Sequence, residues 1–353
     1  MAKADTHDRL EQLDEQILAL LNERCRLVRR TADRGPADPH PPATRRRRLQ
    51  RLQHRNPGPL PAAAVEAVFR EIWSGTAPPD RRLTVAFFGP PATFTHQAAL
   101  ATFGATARYL EQPTITDVFD AVTRGEARYG IVPVENSTEG CVTHTLDMFV
   151  DTDLLICAET SLPVHHCLLA PTARTALRTL FSHPQVFGQC RRWLHRNLPD
   201  VHLVEVSSTT EAARRCRTEP HAGALAGELA AQAYKLTIRE RNIEDATENT
   251  TRFIVLGKES PPPSGDDKTS LLLAIRHRVG ALYDSLLPFG RHGVNLTFIE
   301  SRPSKRRNWE YYFFIDFIGH VSDPRAKAVL DELAGHCQFV KLLGSYPRAA
   351  EAP

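Results

Sequence analysis

Apolar residues in the N-terminal part of the chain recur at the three- and four-residue steps of an α-helix. A first helix carries Leu13, Ile17, Leu20 and Leu27 on one face, and Arg24 lies on the same stripe. A short basic helix and a third amphipathic helix follow. We therefore expect three short helices, and their thin core favours dimerisation.

The pattern changes after a proline-rich seam at residues 76–80, and residues 82–258 alternate short apolar strands with helices. Predicted strands at 83–88, 129–134 and 201–206 each run into a polar turn. In open α/β sheets, ligands bind at the carboxyl ends of the strands. Helix N-termini at that edge offer free N–H groups to an anion. The middle of the chain is therefore predicted to be an α/β domain for a small carboxylate.

A second proline-rich seam, at residues 259–266, precedes the last part of the chain. The elements predicted there are a strand at 269–275, a helix at 280–289, strands at 294–301 and 309–318, a helix at 324–333 and a strand at 339–343. This βαββαβ order is that of ferredoxin-like domains. The predicted domains are residues 1–77, 82–258 and 268–347.

Composition narrows the function classes. The chain of 353 residues is 42% apolar and 24% charged, and its net charge of +3 is too small to indicate a nucleic-acid or membrane partner. Seven cysteines without a CxxC pair favour a reducing compartment, and the absence of a signal-like segment predicts a cytoplasmic protein. No phosphate loop, dinucleotide fingerprint or zinc spacing occurs, so neither a cofactor nor a metal is predicted.

Residues 13–24 resemble the first helix of the all-helical chorismate mutases. The resemblance implies a helix-swapped dimer whose arginines hold the carboxylates of chorismate, and Arg24 matches one of them. His7 stands where a further arginine is expected, and Gly35 replaces a lysine. The arginine run at 45–48 is interpreted as a solvated helix face. One cationic donor is typically worth about 3 kcal/mol, so we expect a folded domain that is weak or inactive as a mutase.

Four polar motifs in the middle domain resemble prephenate dehydratase, in order and at fitting spacing. They lie at residues 89–95, 133–137, 182–190 and 249–253. The resemblance implies two α/β lobes, like those of periplasmic binding proteins, that close over a cleft. It also implies conversion of prephenate to phenylpyruvate, water and CO₂. Ala92 departs from the family, which usually has glycine there.

The resemblance also assigns roles. Thr251 would supply the hydroxyl that serves the leaving group, and Glu135 is the nearest candidate to supply a proton. Arg252 either pairs with a substrate carboxylate or forms a structural ion pair. The other motif residues would bind or orient the substrate: Thr93, Asn136, Ser137, Ser182, Gln185, Gln189 and Phe253.

Two segments of the C-terminal domain resemble the phenylalanine-binding motifs of ACT regulatory domains. Gly280 would let a helix terminus approach an amino-acid carboxylate. The resemblance implies feedback inhibition by phenylalanine; a βαββαβ module that serves only dimerisation is the other interpretation. A homodimer or homotetramer is expected. The residues concerned are Gly280, Ala281, Leu282, Asn295, Glu300, Ser301 and Arg302.

Several functions stay open at this point. The chain is predicted to be a prephenate dehydratase, and it could prefer arogenate or retain chorismate mutase activity. A non-catalytic small-molecule binder and a purely regulatory amino-acid sensor are the alternatives outside enzymes. The full set of cleft motifs, together with Thr251, favours the enzyme.

Overall fold

A computed structural model describes residues 2–32, 41–275, 278–304 and 311–349 of the chain. The predicted helix break at Gly35, and the start of the strand predicted from Trp309, lie outside the described residues. The seven cysteines are free thiols. Within the described ranges, no helix combines the length and apolar character that a membrane span requires.

The N-terminal domain is helical, as predicted, but its first helix is long rather than short, with 31 residues. The second helix carries the arginine run, and the third follows Pro61. The described helices of this domain are α1 (Ala2–Ala32), α2 (Pro42–Arg55) and α3 (Ala62–Gly75).

The predicted apolar face of α1 is exposed in the single chain. Leu10, Leu13, Ile17, Leu20 and Leu27 keep between 40% and 65% of their surface accessible. Large contiguous apolar surfaces mark contact sites in soluble proteins. This chain therefore leaves the face of α1 available to another molecule.

Helices α2 and α3 pack against the middle domain. Arg45 is 7% exposed, and its guanidinium lies 5.8 Å from the centroid of the Phe103 ring. The hydroxyls of Ser74 and Thr106 are hydrogen-bonded at 2.7 Å. The arginine run is thus not a fully solvated face as expected, because its first member is buried at a domain interface.

The middle domain contains two sheets with flanking helices. In chain order its elements are β1 (Thr84–Phe88), α4 (Phe94–Phe103), β2 (Arg108–Gln112), α5 (Ile115–Thr123), β3 (Tyr129–Asn136), β4 (Gly140–Cys141), α6 (Thr143–Met148), β5 (Leu155–Pro163), β6 (Cys167–Ala170), β7 (Thr179–Ser182), α7 (Pro184–Gln189), α8 (Arg191–Asn197), β8 (His202–Glu205), α9 (Thr209–Thr218), β9 (Ala222–Ala226), α10 (Glu228–Tyr234), β10 (Thr237–Glu240) and β11 (Thr250–Gly257).

Each sheet forms the centre of one lobe, which confirms the predicted two-lobed arrangement. The sheet of the first lobe, lobe 1, has the order β2-β1-β3-β11-β5, with β4 beside β3. The sheet of the second lobe, lobe 2, has the order β10-β6-β9-β7-β8. The chain builds lobe 2 between β5 and β11 and then returns. Because β11 is inserted between β3 and β5, the returning strand lies inside the sheet of lobe 1 and is paired on both sides.

The register of β11 against β3 decides which side chains share a face. Thr251 is opposite Asn136, and Arg252 is opposite Glu135. Successive side chains of a strand point to opposite faces of its sheet. Thr251 and Asn136 therefore lie on one face of lobe 1, and Arg252 and Glu135 lie on the other.

The C-terminal domain has the predicted βαββαβ order. Its sheet has the strand order β13-β14-β12-β15, and all its pairs are antiparallel. The elements are β12 (Asp267–Ile275), α11 (Ala281–Arg291), β13 (Leu296–Pro303), β14 (Tyr311–Ile318), α12 (Pro324–His336) and β15 (Cys337–Pro347).

This sheet is covered on both faces. One face, with Leu271 and Ile315, packs against the domain's own helices. The other face, with Leu272 and Phe314, joins the same apolar core as Ile156 of lobe 1. The C-terminal domain is therefore packed onto lobe 1 through a shared core.

A core substitution tests this shared packing. Phe314 is 2% exposed between the two domains, so Phe314→Ala should lower the free energy of unfolding by about 3–5 kcal/mol in a urea titration. Phe339→Ala serves as the control, because Phe339 is 39% exposed in the same sheet. Equal losses from the two variants would contradict the shared core.

Candidate active site

A cleft of about 920 Å³ lies between the two lobes. This volume is in the range of small-molecule sites. Lobe 1 contributes Thr93, Asn136 and Thr251, and lobe 2 contributes Gln185 and Gln189. Four of the side chains predicted to bind substrate therefore meet the predicted catalytic Thr251 at one cleft.

At the lobe 1 wall, the hydroxyl of Thr251 is oriented by an amide. The Nδ2 group of Asn136 donates to Thr251 Oγ1 at 2.8 Å and to Asn249 Oδ1 at 2.7 Å. Because Thr251 Oγ1 accepts this bond, its own O–H is left to donate elsewhere. Thr251 is 9% exposed, at the edge of the cleft.

Asn136 and Ser137 hold the surrounding loops. Asn136 Oδ1 accepts from the backbone N–H of Thr138 and of Glu139, each at 3.0 Å. Ser137 Oγ donates to Glu248 O at 3.1 Å and accepts from Thr250 N at 2.9 Å. Ser137 therefore supports the cleft from behind and does not line it.

A hydrogen-bonded chain crosses from lobe 1 to lobe 2. Gln189 Nε2 donates to Glu139 Oε1 at 3.1 Å. Gln189 Oε1 lies 2.7 Å from His166 Nε2. His166 is 1% exposed, and burial lowers the pKa of its imidazole. The neutral imidazole therefore donates from Nε2 to Gln189.

Helix N-termini from both lobes border the cleft. Thr93 caps α4, and Ser208 caps α9 by accepting from Glu211 N at 3.0 Å. Such termini favour anions through free N–H groups and the helix dipole. Ala92 precedes the first of them at φ 67°, a left-handed conformation that suits glycine. The glycine that the resemblance implies at this position would adopt this conformation without strain.

The structure corrects the placement of Glu135. Its carboxylate accepts from Arg252 Nε at 3.1 Å on the face of lobe 1 that turns away from the cleft. Arg252 also contacts Glu159 and Asp316, so it forms a structural ion pair and does not bind substrate from this position. Glu139, and not Glu135, presents its carboxylate to the cleft.

Two further predicted residues are buried. Ser182 is fully buried, and its hydroxyl donates to Leu225 O at 2.8 Å inside lobe 2. The expected contact of Ser182 with substrate is therefore corrected to a structural bond. Phe253 lines the bottom of the cleft and is 1% exposed.

Burial and charge act in opposite directions on Arg252. Burial alone would lower the pKa of this guanidinium, and the neighbouring Asp316, Tyr346 and Glu159 raise it above its ordinary value. Arg252 is therefore a permanent buried cation.

Comparisons with known proteins agree with this geometry. Family models match three parts of the chain: chorismate mutase type II at residues 7–77, prephenate dehydratase at 85–261 and the ACT domain at 270–335. A bifunctional chorismate mutase/prephenate dehydratase of Aquifex aeolicus is 43% identical over 348 residues, which are 96% of each chain. The chain belongs to the prephenate dehydratase family.

Solved structures are similar over about three quarters of the chain. Prephenate dehydratase from Arthrobacter aurescens, solved in complex with L-Phe, is 33% identical with a TM-score of 0.71. The match covers 77% of this chain and 92% of that one. A protein described as GqqA, a novel type of quorum quenching acylase, is 30% identical with a TM-score of 0.69 and covers 76% of this chain and 98% of its own.

The residues predicted to bind phenylalanine in the ACT domain lie in two different environments, one exposed and one in contact with the dehydratase domain. Gly280 precedes α11 at φ 78°, and Asn295 and Ser301 are exposed. Arg302 forms two 3.2 Å bonds with Asp147 of the dehydratase domain. Ala281 and Leu282 open α11, and Glu300 is half-buried beside Cys141. Arg302 is therefore an interdomain contact in this structure.

Sequence reasoning missed Glu139, His166 and Ser208 in the cleft. Glu139 and Ser208 stand in turns that the sequence marks as polar strand ends. Two-residue alternation along a strand that continues to Asn136 would have separated Asn136 from Glu135. His166 gives no such signal, since it lies just before β6 and not at the carboxyl end of a strand.

The lowered pKa of His166 predicts a pH dependence of stability in the dehydratase domain. The unfolded chain takes up a proton near pH 6.5, whereas the folded imidazole resists protonation to a lower pH. Stability should therefore fall as the pH falls below about 6.5.

Urea unfolding at pH 7.5 and pH 5.5 measures this effect. The difference in the free energy of unfolding between these two pH values should be smaller in His166→Gln than in the wild type. His202→Gln, at an exposed position, controls for the loss of an imidazole. If the pH dependence of the unfolding free energy is the same in His166→Gln as in the wild type, His166 is not its cause.

Proposed function

We propose that this protein is a prephenate dehydratase that converts prephenate to phenylpyruvate, water and CO₂ in the cleft between its lobes. In this reaction the ring carboxylate leaves as CO₂, and its bonding electron pair completes the aromatic ring. The ring C–O bond breaks, and the departing oxygen takes a proton to become water. Aromatisation drives the reaction, so the protein has to align two leaving groups and supply one proton.

The hydrogen bond from Asn136 Nδ2 to Thr251 Oγ1 carries this proposal. Because Thr251 Oγ1 accepts this bond, the O–H of Thr251 points away from Asn136 and donates to the oxygen that leaves the ring. A threonine is a weak acid, so a second group must restore the proton. Glu139 is the carboxylate of lobe 1 that lines the same cleft, and we assign it this role in place of Glu135.

The two carboxylates of prephenate require positive potential. The N-termini of α4 and α9 supply it from opposite lobes, through the caps at Thr93 and Ser208. Gln185 and Gln189 add neutral donors from α7. Lobe closure over the dianion would bring these groups together.

A hydrolytic acylase function, as described for GqqA, is less well supported. A threonine nucleophile needs a base that accepts its proton. The hydrogen bond to Thr251 Oγ1 comes from an amide donor, and a donor cannot take up that proton. This geometry favours donation by Thr251 over attack by it.

Substitution of Thr251 tests the proposed function. Thr251→Ala should lower prephenate turnover by about 10²-fold or more while far-UV circular dichroism is unchanged, because the proton-donating hydroxyl is lost. Thr250→Ala is the control, since Thr250 neighbours Thr251 on the strand and lies on the alternate face. Near-normal turnover in Thr251→Ala would remove Thr251 from the mechanism.

Assays with arogenate and prephenate side by side would show which substrate the cleft prefers. Turnover of neither substrate by the wild-type protein would leave a binding or sensing role.

We further propose that the protein is a cytoplasmic homodimer or homotetramer inhibited by phenylalanine. The exposed apolar face of α1 supports self-association, because a second copy of α1 would cover it. The left-handed turn at Gly280 and the exposed Asn295 support a phenylalanine site at the start of α11. Inhibition requires that phenylalanine bind one conformational state more tightly than the other.

The N-terminal domain gathers positive charge around Arg24. The pKa of Arg24 is lowered by burial and then by the nearby cations Arg48 and Arg45, so three arginines lie near one another. Arg24 also contacts the hydroxyl of Thr76. Such a cluster suits a dicarboxylate. With Gly35 in place of the expected lysine, we propose that the domain binds chorismate and is a weak mutase.

Chorismate consumption by the full chain tests this proposal. We expect its rate to be at least about 10²-fold below that of prephenate consumption, because one cationic donor to the reacting ether is missing. Arg24→Met should weaken the residual binding of chorismate in calorimetry. Chorismate turnover as fast as prephenate turnover would contradict the proposal.

A further inference from the structure

The dehydratase and ACT domains share a group of charges, the Arg252 cluster, which consists of Arg252, Glu135, Glu159, Lys268 and Asp316; Glu135 is 38% exposed, and the other four are largely buried. Arg252 Nη1 lies 2.8 Å from Asp316 Oδ2 and 3.3 Å from Glu159 Oε2. The side chains of Arg252, Asp316 and Glu159 are 13%, 7% and 2% exposed. The guanidinium of a lobe 1 strand is therefore held by a carboxylate of the ACT domain.

Asp316 is itself held in place by the ACT domain. Ser270 Oγ donates to Asp316 Oδ1 at 2.6 Å, and the hydroxyl of Tyr346 lies 2.7 Å from Ser270 Oγ. Phe298, which pairs with Asp316 in the sheet, lies under the guanidinium of Arg252 at 5.2 Å. Asp316 is therefore a rigid support for Arg252 and not a mobile surface charge.

The backbone ladder beside Thr251 is interrupted. The register of β11 against β3 shifts between Arg252, opposite Glu135, and Phe253, opposite Pro133. A β-bulge leaves a residue unpaired and locally disrupts the ladder, and proline has no N–H to donate. The ladder from β11 to β3 is therefore irregular next to Thr251, whereas the ladder from β11 to β5 keeps its register from Thr250 to Val255.

The guanidinium of Arg252 makes contacts on both sides of this irregular part of the ladder. Its Nε reaches Glu135 on β3 at 3.1 Å, and its Nη1 reaches Glu159 on β5. Both neighbours of β11 are thereby tied to the residue next to Thr251. The third tie, to Asp316, comes from outside the dehydratase domain.

We propose that Asp316 of the ACT domain is a positioning residue for Thr251 and acts through Arg252. By holding the guanidinium, Asp316 fixes β11 at the bulge and keeps Thr251 Oγ1 within reach of the Asn136 amide. The inference rests on the proposed function of Thr251. A small displacement of a reacting group costs up to about 10²-fold in rate, so loss of this support should appear in turnover.

Kinetics of two variants test the proposal. Asp316→Asn keeps the shape and removes the charge; it should lower kcat for prephenate about 10-fold and leave KM nearly unchanged, since the effect falls on alignment and not on binding. Arg252→Gln should show a similar loss. The double variant should lose no more than either single variant, because both act through one contact.

Hydrogen exchange of the amides of β11 gives a readout that does not need activity. Exchange at residues 250–253 should be faster in Asp316→Asn than in the wild type. If the wild-type protein does not turn over prephenate, the proposed function fails, and this measurement still decides the positioning role.

Lys341→Met controls for general weakening of the domain interface. Lys341 Nζ donates from the ACT domain to Phe149 O and Thr152 O of lobe 1, on residues outside the Arg252 cluster. It should lower the melting temperature with little change in kcat or in β11 exchange. Wild-type kcat and exchange in Asp316→Asn, or an equal loss in Lys341→Met, would overturn the proposal.

Discussion

The buried charge of Arg252 constrains the whole arrangement of the dehydratase and ACT domains. A buried guanidinium without partners is strongly unfavourable, and Arg252 is partnered by carboxylates from three separate strands of two domains. All three ion pairs form together only when β11 lies between β3 and β5 and the ACT sheet packs on lobe 1. Strand β11, its two neighbours and the ACT domain are therefore linked by one side chain.

Alternation along β3 and β11 gives the two faces of lobe 1 different functions. On one face, Asn136 and Thr251 form a hydrogen-bonded pair at the cleft. On the other, Glu135 and Arg252 form an ion pair beneath the ACT domain. Since these residues are direct neighbours in the chain, a shift of the backbone on one face also moves side chains on the other. The cleft and the domain interface are two sides of the same pair of strands.

Periodicity predicted the helical, α/β and βαββαβ parts of the fold, because each element covers its own core with its own apolar stripe, and the resemblance to prephenate dehydratase implied the two lobes. The resemblance to prephenate dehydratase selected Asn136, Gln185, Gln189 and Thr251, and these four side chains line one cleft. Periodicity could not place Arg45, whose burial depends on a contact with Phe103 of another domain. Nor could it place Ser182, whose partner is a backbone carbonyl distant in sequence. The errors therefore fall where tertiary contacts, and not local pattern, decide.

The interface between lobe 1 and the ACT domain has an apolar part and an ionic part. The apolar part includes Leu272 and Phe314, and burial of such side chains is favourable. The Arg252 cluster contributes less net stability, because the attraction between its charges is offset by their desolvation. The property that distinguishes the cluster is orientation. A planar guanidinium contacts all three carboxylates at once in one orientation. The apolar contacts therefore hold the domains together, and the ionic contacts orient Arg252 next to Thr251.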